Sequence, residues 1–164
     1  MKPADGTPLR ERLDTLSLIR TALMLILLVG LVGTEVELLL LKHTDGVWQI
    51  VPVVLLALGI VVLAWCVATQ SAASIRGLRA TMILFIVSGL LGVVLHFKGN
   101  VAYEHDSDPS LTGRALYVNA VSGSTPTLAP GTMIQLGLVG LVFTFRYSGR
   151  RRPPALDEHQ RTEL

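Results

Sequence analysis

The sequence predicts an all-α integral membrane bundle of four transmembrane helices, N-in/C-in, with one longer, partly helical extracytoplasmic loop between helices 3 and 4. Three observations predict it. First, 51% of residues are hydrophobic, only 16% are charged, and mean hydropathy is +0.56, whereas soluble domains carry about 25% charge. Second, four apolar stretches each approach the ~20 residues needed to cross a ~30 Å hydrocarbon core. Third, the basic residues gather on one side of those stretches. This profile excludes a disordered chain, a disulfide-rich secreted domain and a typical soluble enzyme. Four spans within 164 residues leave no room for a second globular unit, so residues 1–164 form one domain.

The spans run over about 18–41, 47–69, 78–97 and 128–147, with an outer loop over 98–127 and a cytoplasmic tail over 148–164. Lipid cannot satisfy open backbone groups, so each span is helical. Span one has the basic flank and apolar core of a signal peptide. It is too long for one, and it continues into TEVELLLLKHTDG with no small-residue cleavage site, so it reads as an uncleaved anchor. Ahead of it, Leu9, Leu13 and Leu16 recur at helical spacing and predict a short interfacial helix within residues 1–15. In span two, Trp48 and Trp65 stand about 25 Å apart at 1.5 Å per residue, which suits the two interfacial aromatic belts.

The connections are unequal. Residues 42–46 (KHTDG) make a tight turn and residues 70–77 a short basic cytoplasmic loop. Only 98–127 is long. Within it, Asp108 followed by Pro109 predicts an N-cap and first helical residue, and Gly123 a terminus. Leu111, Ala115, Val118 and Val121 then form one apolar stripe that lies on the outer surface or caps the bundle.

Orientation follows from charge. Eleven basic residues fall on the side of the N-terminus: Lys2, Arg10, Arg12, Arg20, Arg76, Arg79, Arg146, Arg150, Arg151, Arg152 and Arg161. Lys42, Lys98 and Arg114 fall on the other. The twelve acids divide six and six, giving 11 − 6 = +5 against 3 − 6 = −3, and the positive-inside rule puts both termini in the cytoplasm. The run Arg150–Arg152 reads as a topology and headgroup signal; no aromatic residues interleave with it, so nucleic acid is not an expected partner. Arg outnumbers Lys 11 to 3, a composition of GC-rich bacterial genomes, which puts the chain in a bacterial cytoplasmic (inner) membrane.

Small residues mark packing faces. Ser88, Gly89 and Gly92 in span three and Gly137 and Gly140 in span four let helices approach closely, within this bundle or against another subunit. Thr144 extends the second face; Gln135 is about 200° from Gly137 and cannot share it.

Ionisable groups inside a membrane are functional candidates, and they collect near the outer boundary. Glu35 and Glu37, two residues apart on a helix, face opposite ways. His96 continues the Gly89–Gly92 stripe inward, and His43 reaches the same level. Lys98, Asn100 and the run Glu104–His105–Asp106 follow.

Three readings are open. In the structural one, Glu35 pairs with Lys42 or Lys98, while His96 bonds Glu37, Gln135 or a backbone carbonyl. In the second, His43, His96 and His105 with Glu35, Glu37 and Glu104 hold a divalent transition metal or a haem, a donor set suited to zinc, copper, iron or manganese. In the third, the same carboxylates and imidazoles relay protons. Cys66 is the lone cysteine, so neither an internal disulfide nor a thiolate cluster is available. No nucleophile elbow, phosphate loop or dinucleotide fingerprint occurs, which leans away from an enzyme. Two function classes result: a non-enzymatic accessory, assembly or stabilising subunit of a larger membrane complex, packed against other subunits or itself, or a membrane protein with its own outward-facing metal, haem or proton-relay site.

Overall fold

In a computed structural model of the protein, residues 9–123 and 126–145 are described, and their regular structure is five α-helices. α1 (Leu9–Leu40), α2 (Val47–Thr69) and α3 (Ala72–Ser107) are long and apolar enough to cross a membrane. α4 (Gly113–Val121) is short, and α5 (Gly131–Phe143) is apolar but only 13 residues long.

α1 is one uninterrupted helix of 32 residues, about 48 Å at 1.5 Å per residue. The expected separate helix over 1–15 is therefore not separate: from Leu9 onward it is continuous with the span, because nothing between Asp14 and Arg20 breaks the helix. Residues 1–8 lie outside the described residues. Leu27 and Leu31 turn inward to meet Leu56 and Leu63 of α2, Leu78, Met82 and Phe85 of α3, and Leu136 of α5. This shared core is small. Most of α2 faces outward, with Val47, Val54 and Val61 exposed, as a lipid-facing helix requires.

The link from α2 to α3 is shorter than 70–77. Gln70 takes the left-handed conformation and caps α2 through its N–H on the Cys66 carbonyl. Ser71 then caps α3, its side chain accepting from the Ser74 N–H at 3.1 Å. Helix α3 begins at Ala72, so Arg76 is helical rather than in a loop.

The larger difference is in the segment 98–127, expected as an outer loop. α3 does not stop at Phe97 but continues through Ser107, 36 residues in all, so a third of the segment 98–127 belongs to α3. Gly99 weakens a helix interior by about 1 kcal/mol, too little to end one that is packed on its other faces. Termination comes at Asp108, whose extended φ of −142° is the conformation favoured before a proline. Asp108 is thus the C-cap of α3, not the N-cap of α4, and its Oδ1 accepts from Ser110 N (3.0 Å) and Ser110 Oγ (2.6 Å). α4 instead begins after Thr112. Its expected apolar stripe faces outward: Ala115, Val118 and Val121 are exposed, and Ala120 is the buried contact with the bundle. Tyr117 stacks on Phe97, ring centroids 6.0 Å apart and 8° from parallel.

α5 runs antiparallel to α3. A β-carbon at Gly92 would meet Pro130 Cβ at 2.7 Å, one at Gly89 would meet the Pro130 carbonyl oxygen at 2.8 Å, and one at Gly137 would meet the Met82 carbonyl oxygen at 2.7 Å. At the far end, Arg79 donates from Nη2 to the Thr144 carbonyl, a cation on the negative end of α5. The glycine faces of the two helices thus pack on each other within one chain. Residues 126–144 accompany α3 from His96 to Arg79, about 25 Å at 1.5 Å per residue, although the helical part is only about 20 Å. The expected fourth span, 128–147, is therefore part helix and part irregular entry through Pro126–Pro130; residues 146–164, including the expected tail, lie outside the described residues.

Candidate functional site

Two of the candidate groups, His43 and His96, sit where the α1–α2 turn meets the crossover from α4 to α5. Glu35 follows Leu27 and Leu31 at spacings of four, so it continues the inward stripe of α1. Its Oε2 is buried with no hydrogen-bond partner, and the expected pairing with Lys42 or Lys98 does not take up that atom. Glu37 is exposed on the opposite side of the helix, as the 200° offset requires.

His43 is placed by the helix terminus. Lys42 adopts a positive φ of 50°; its N–H bonds the Leu39 carbonyl at 3.1 Å, and the His43 N–H bonds the Leu38 carbonyl at 3.0 Å. That pair of bonds is a Schellman motif with lysine where glycine is usual. It folds His43 back toward the bundle, half-buried, while Lys42 stays exposed. Burial, and then the neighbouring charge of His96, hold the His43 imidazole below the usual histidine range.

His96 extends the Gly89–Gly92 face of α3 by one turn, and its ring lies 6.5 Å from that of His43, centroid to centroid, tilted by 44°. Its Nδ1 is 3.1 Å from the Pro126 carbonyl oxygen. A carbonyl oxygen only accepts, so Nδ1 carries the proton and donates it, and in the neutral ring Nε2 keeps its lone pair. Of the partners expected in the structural reading, the backbone carbonyl is the one His96 bonds.

One turn further, Asn100 is a buried polar residue whose importance the sequence reading missed. Its Nδ2 donates to the Ala120 carbonyl (2.9 Å) and to Thr127 Oγ1 (3.1 Å), and Thr127 Oγ1 donates to the same Ala120 carbonyl (3.1 Å). Gly123 is close enough that a β-carbon there would stand 3.0 Å from the Asn100 amide. Asn100 thereby ties the end of α4 and the entry to α5 onto α3. The signal was its spacing: Gly92, His96 and Asn100 are four apart and share one face.

Glu104 is half-buried one turn beyond Asn100, and His105 is exposed. The structure therefore brings His43 and His96 together and distributes Glu35, Glu37, Glu104 and His105 over other levels or faces. Among the described residues, no group of three or more His, Cys, Asp or Glu is placed to hold a metal ion. The chemistry available is that of two neighbouring imidazoles, one oriented by a carbonyl, and, separately on α1, a carboxylate with an unpartnered oxygen.

No protein-family model matches the chain, and no curated protein or solved structure is similar to it.

Proposed function

We propose that this small membrane protein is a non-enzymatic accessory, assembly or stabilising subunit of a larger membrane complex, in a bacterial inner membrane. The observation that carries the proposal is the first part of α1. About 20 residues suffice to cross, and α1 has 32. The surplus carries Leu13 and Leu16 at helical spacing, which the described residues leave 57% and 53% exposed. An apolar stripe on a rigid helix leaving the bilayer is suited to another helix, from a second subunit or a second copy.

Several polar groups elsewhere are used internally. His96, Asn100 and Thr127 hold the outer crossover, and the glycine faces of α3 and α5 are filled by each other. Four crossings with both termini cytoplasmic are part of the proposal. They are supported by the division of basic residues, eleven against three, and by the passage of residues 126–144 alongside α3.

The test is purification from native membranes in mild detergent, followed by native mass spectrometry. A stoichiometric partner or a defined homo-oligomer, dissociated by Leu16→Glu, is the expected result. A single chain with only lipid bound would overturn the proposal.

A further inference from the structure

We propose that His43 and His96 form a two-imidazole site for a first-row transition-metal cation of the Zn²⁺/Cu²⁺ class, where the α1–α2 turn meets the α3–α5 crossover. Two imidazoles that share one ion at about 2 Å from each nitrogen keep their ring centroids up to about 6 Å apart. The two rings stand at 6.5 Å. For an ion held between them, the rings close by a few tenths of an ångström in a near-linear arrangement and by more than about 1 Å in a tetrahedral one, with His96 Nε2 and a His43 nitrogen turned toward the ion.

His96 already has the second bond that ligating histidines make. Its Nδ1 proton goes to the Pro126 carbonyl, which fixes the ring and leaves Nε2 as the ligand atom. His43 is carried by a different element, and its backbone is pinned by the bond from its N–H to the Leu38 carbonyl. The two rings therefore meet through tertiary packing, and no spacing within a single helix encodes the pair. Both are half-buried, while Lys42 and Lys98 beside them in sequence are exposed. Imidazole nitrogen suits zinc, copper and nickel, and copper(II) stands highest in the general order of affinity.

Among the described residues no third His, Cys, Asp or Glu completes a group of three. Water or an incoming ligand fills the remaining positions, which makes this an open, exchangeable site rather than a closed structural one. The site is independent of the accessory role proposed above.

The experiment uses the full chain without a histidine tag, in detergent micelles, stripped with chelator. Zn²⁺ and Cu²⁺ are titrated by calorimetry, and the Cu²⁺ form is read by electron paramagnetic resonance. One ion per chain is expected, with nitrogen hyperfine structure from two imidazoles. His43→Ala should weaken binding at least tenfold and remove one nitrogen from the spectrum, while His105→Ala leaves both unchanged. His43→Ala is the deciding variant because it retains the His96–Pro126 bond; His96→Gln, if it folds, should behave alike. Binding no tighter than millimolar, or an unchanged affinity and spectrum in His43→Ala, would overturn the proposal.

Discussion

Gly137 of α5 lies so close to Met82 of α3 that a β-carbon at position 137 would stand 2.7 Å from the Met82 carbonyl oxygen. The obstacle is backbone inside a helix, so it cannot rotate aside as a side chain would. With Gly89 against Pro130 at the other end, this contact fixes the height of α5 against α3 and, through it, the position of the crossover that holds His96.

Gly137→Ala is accordingly predicted to destabilise the bundle by about 1–3 kcal/mol, the usual cost of overpacking. Gly33 is the control, since a β-carbon there meets nothing within 4 Å. Gly33→Ala should be neutral or stabilising by about 0.5–1 kcal/mol, because glycine is the poorer helix residue. Reversible unfolding in mixed micelles measures both. Equal effects at the two positions would contradict the packing described.

Asn100→Ala removes both amide bonds that tie α4 and Thr127 to α3. Thr127 still serves the Ala120 carbonyl, so the expected loss is about 1–2 kcal/mol rather than that of a fully orphaned group. The consequence is local. Hydrogen exchange should accelerate across residues 113–121 and leave residues 56–66 of α2 unchanged; uniform acceleration would mean that Asn100 supports the whole bundle.

Two donations from Ser110 favour the charged Asp108 carboxylate and hold it below the usual carboxylate range. A depressed folded-state value means that the stabilisation is complete above the unfolded value, near 3.9, and is lost as pH falls through the folded one. The turn between α3 and α4 should be insensitive to pH from about 8 to 5 and loosen only in stronger acid. Ser110→Ala should raise the Asp108 titration toward the ordinary range, read by the carboxyl carbon shift. A titration unchanged by Ser110→Ala would contradict the hydrogen-bonding account.

Arg79 anchors the other end of α5 through the Thr144 carbonyl. Arg79→Gln should release that end and increase exchange over residues 140–144, with little change near His96. Arg79→Lys should restore part of the protection, because a lysine keeps the charge but not the reach and fork of the guanidinium.

The three long helices were readable from the sequence because each is a continuous apolar run, and apolar length is itself the physical requirement for crossing. The level shared by His43 and His96 was also readable, since helical rise gives height directly. The extension of α3 beyond Phe97 was not. Residues 98–107 are polar and lack a clear apolar period, and they stay helical because Ala120, Gly123 and Thr127 pack on Asn100. Asp108–Pro109 was ambiguous for a related reason: proline favours an extended residue before it, which suits a helix start and a helix end equally. Of the two placements open to the α4 stripe, the outward one is seen rather than the cap on the bundle, because the small Ala120 lets the helix backbone sit against α3 and leaves the larger residues outside. The bond from His96 to Pro126 depends on how the irregular entry to α5 crosses α3, which local spacing does not encode.

The proposed topology, four crossings that leave the α3 extension and α4 outside and both ends in the cytoplasm, is open to direct test. Single cysteines in a Cys66→Ala background, at Ser17, Asp106 and Ser148, test it with a membrane-impermeant maleimide on intact and permeabilised cells. Labelling is expected for Asp106→Cys in intact cells, and for Ser17→Cys and Ser148→Cys only after permeabilisation. Labelling of Ser148→Cys in intact cells would contradict it, reducing the fold to three crossings with α5 folded back on the outer side.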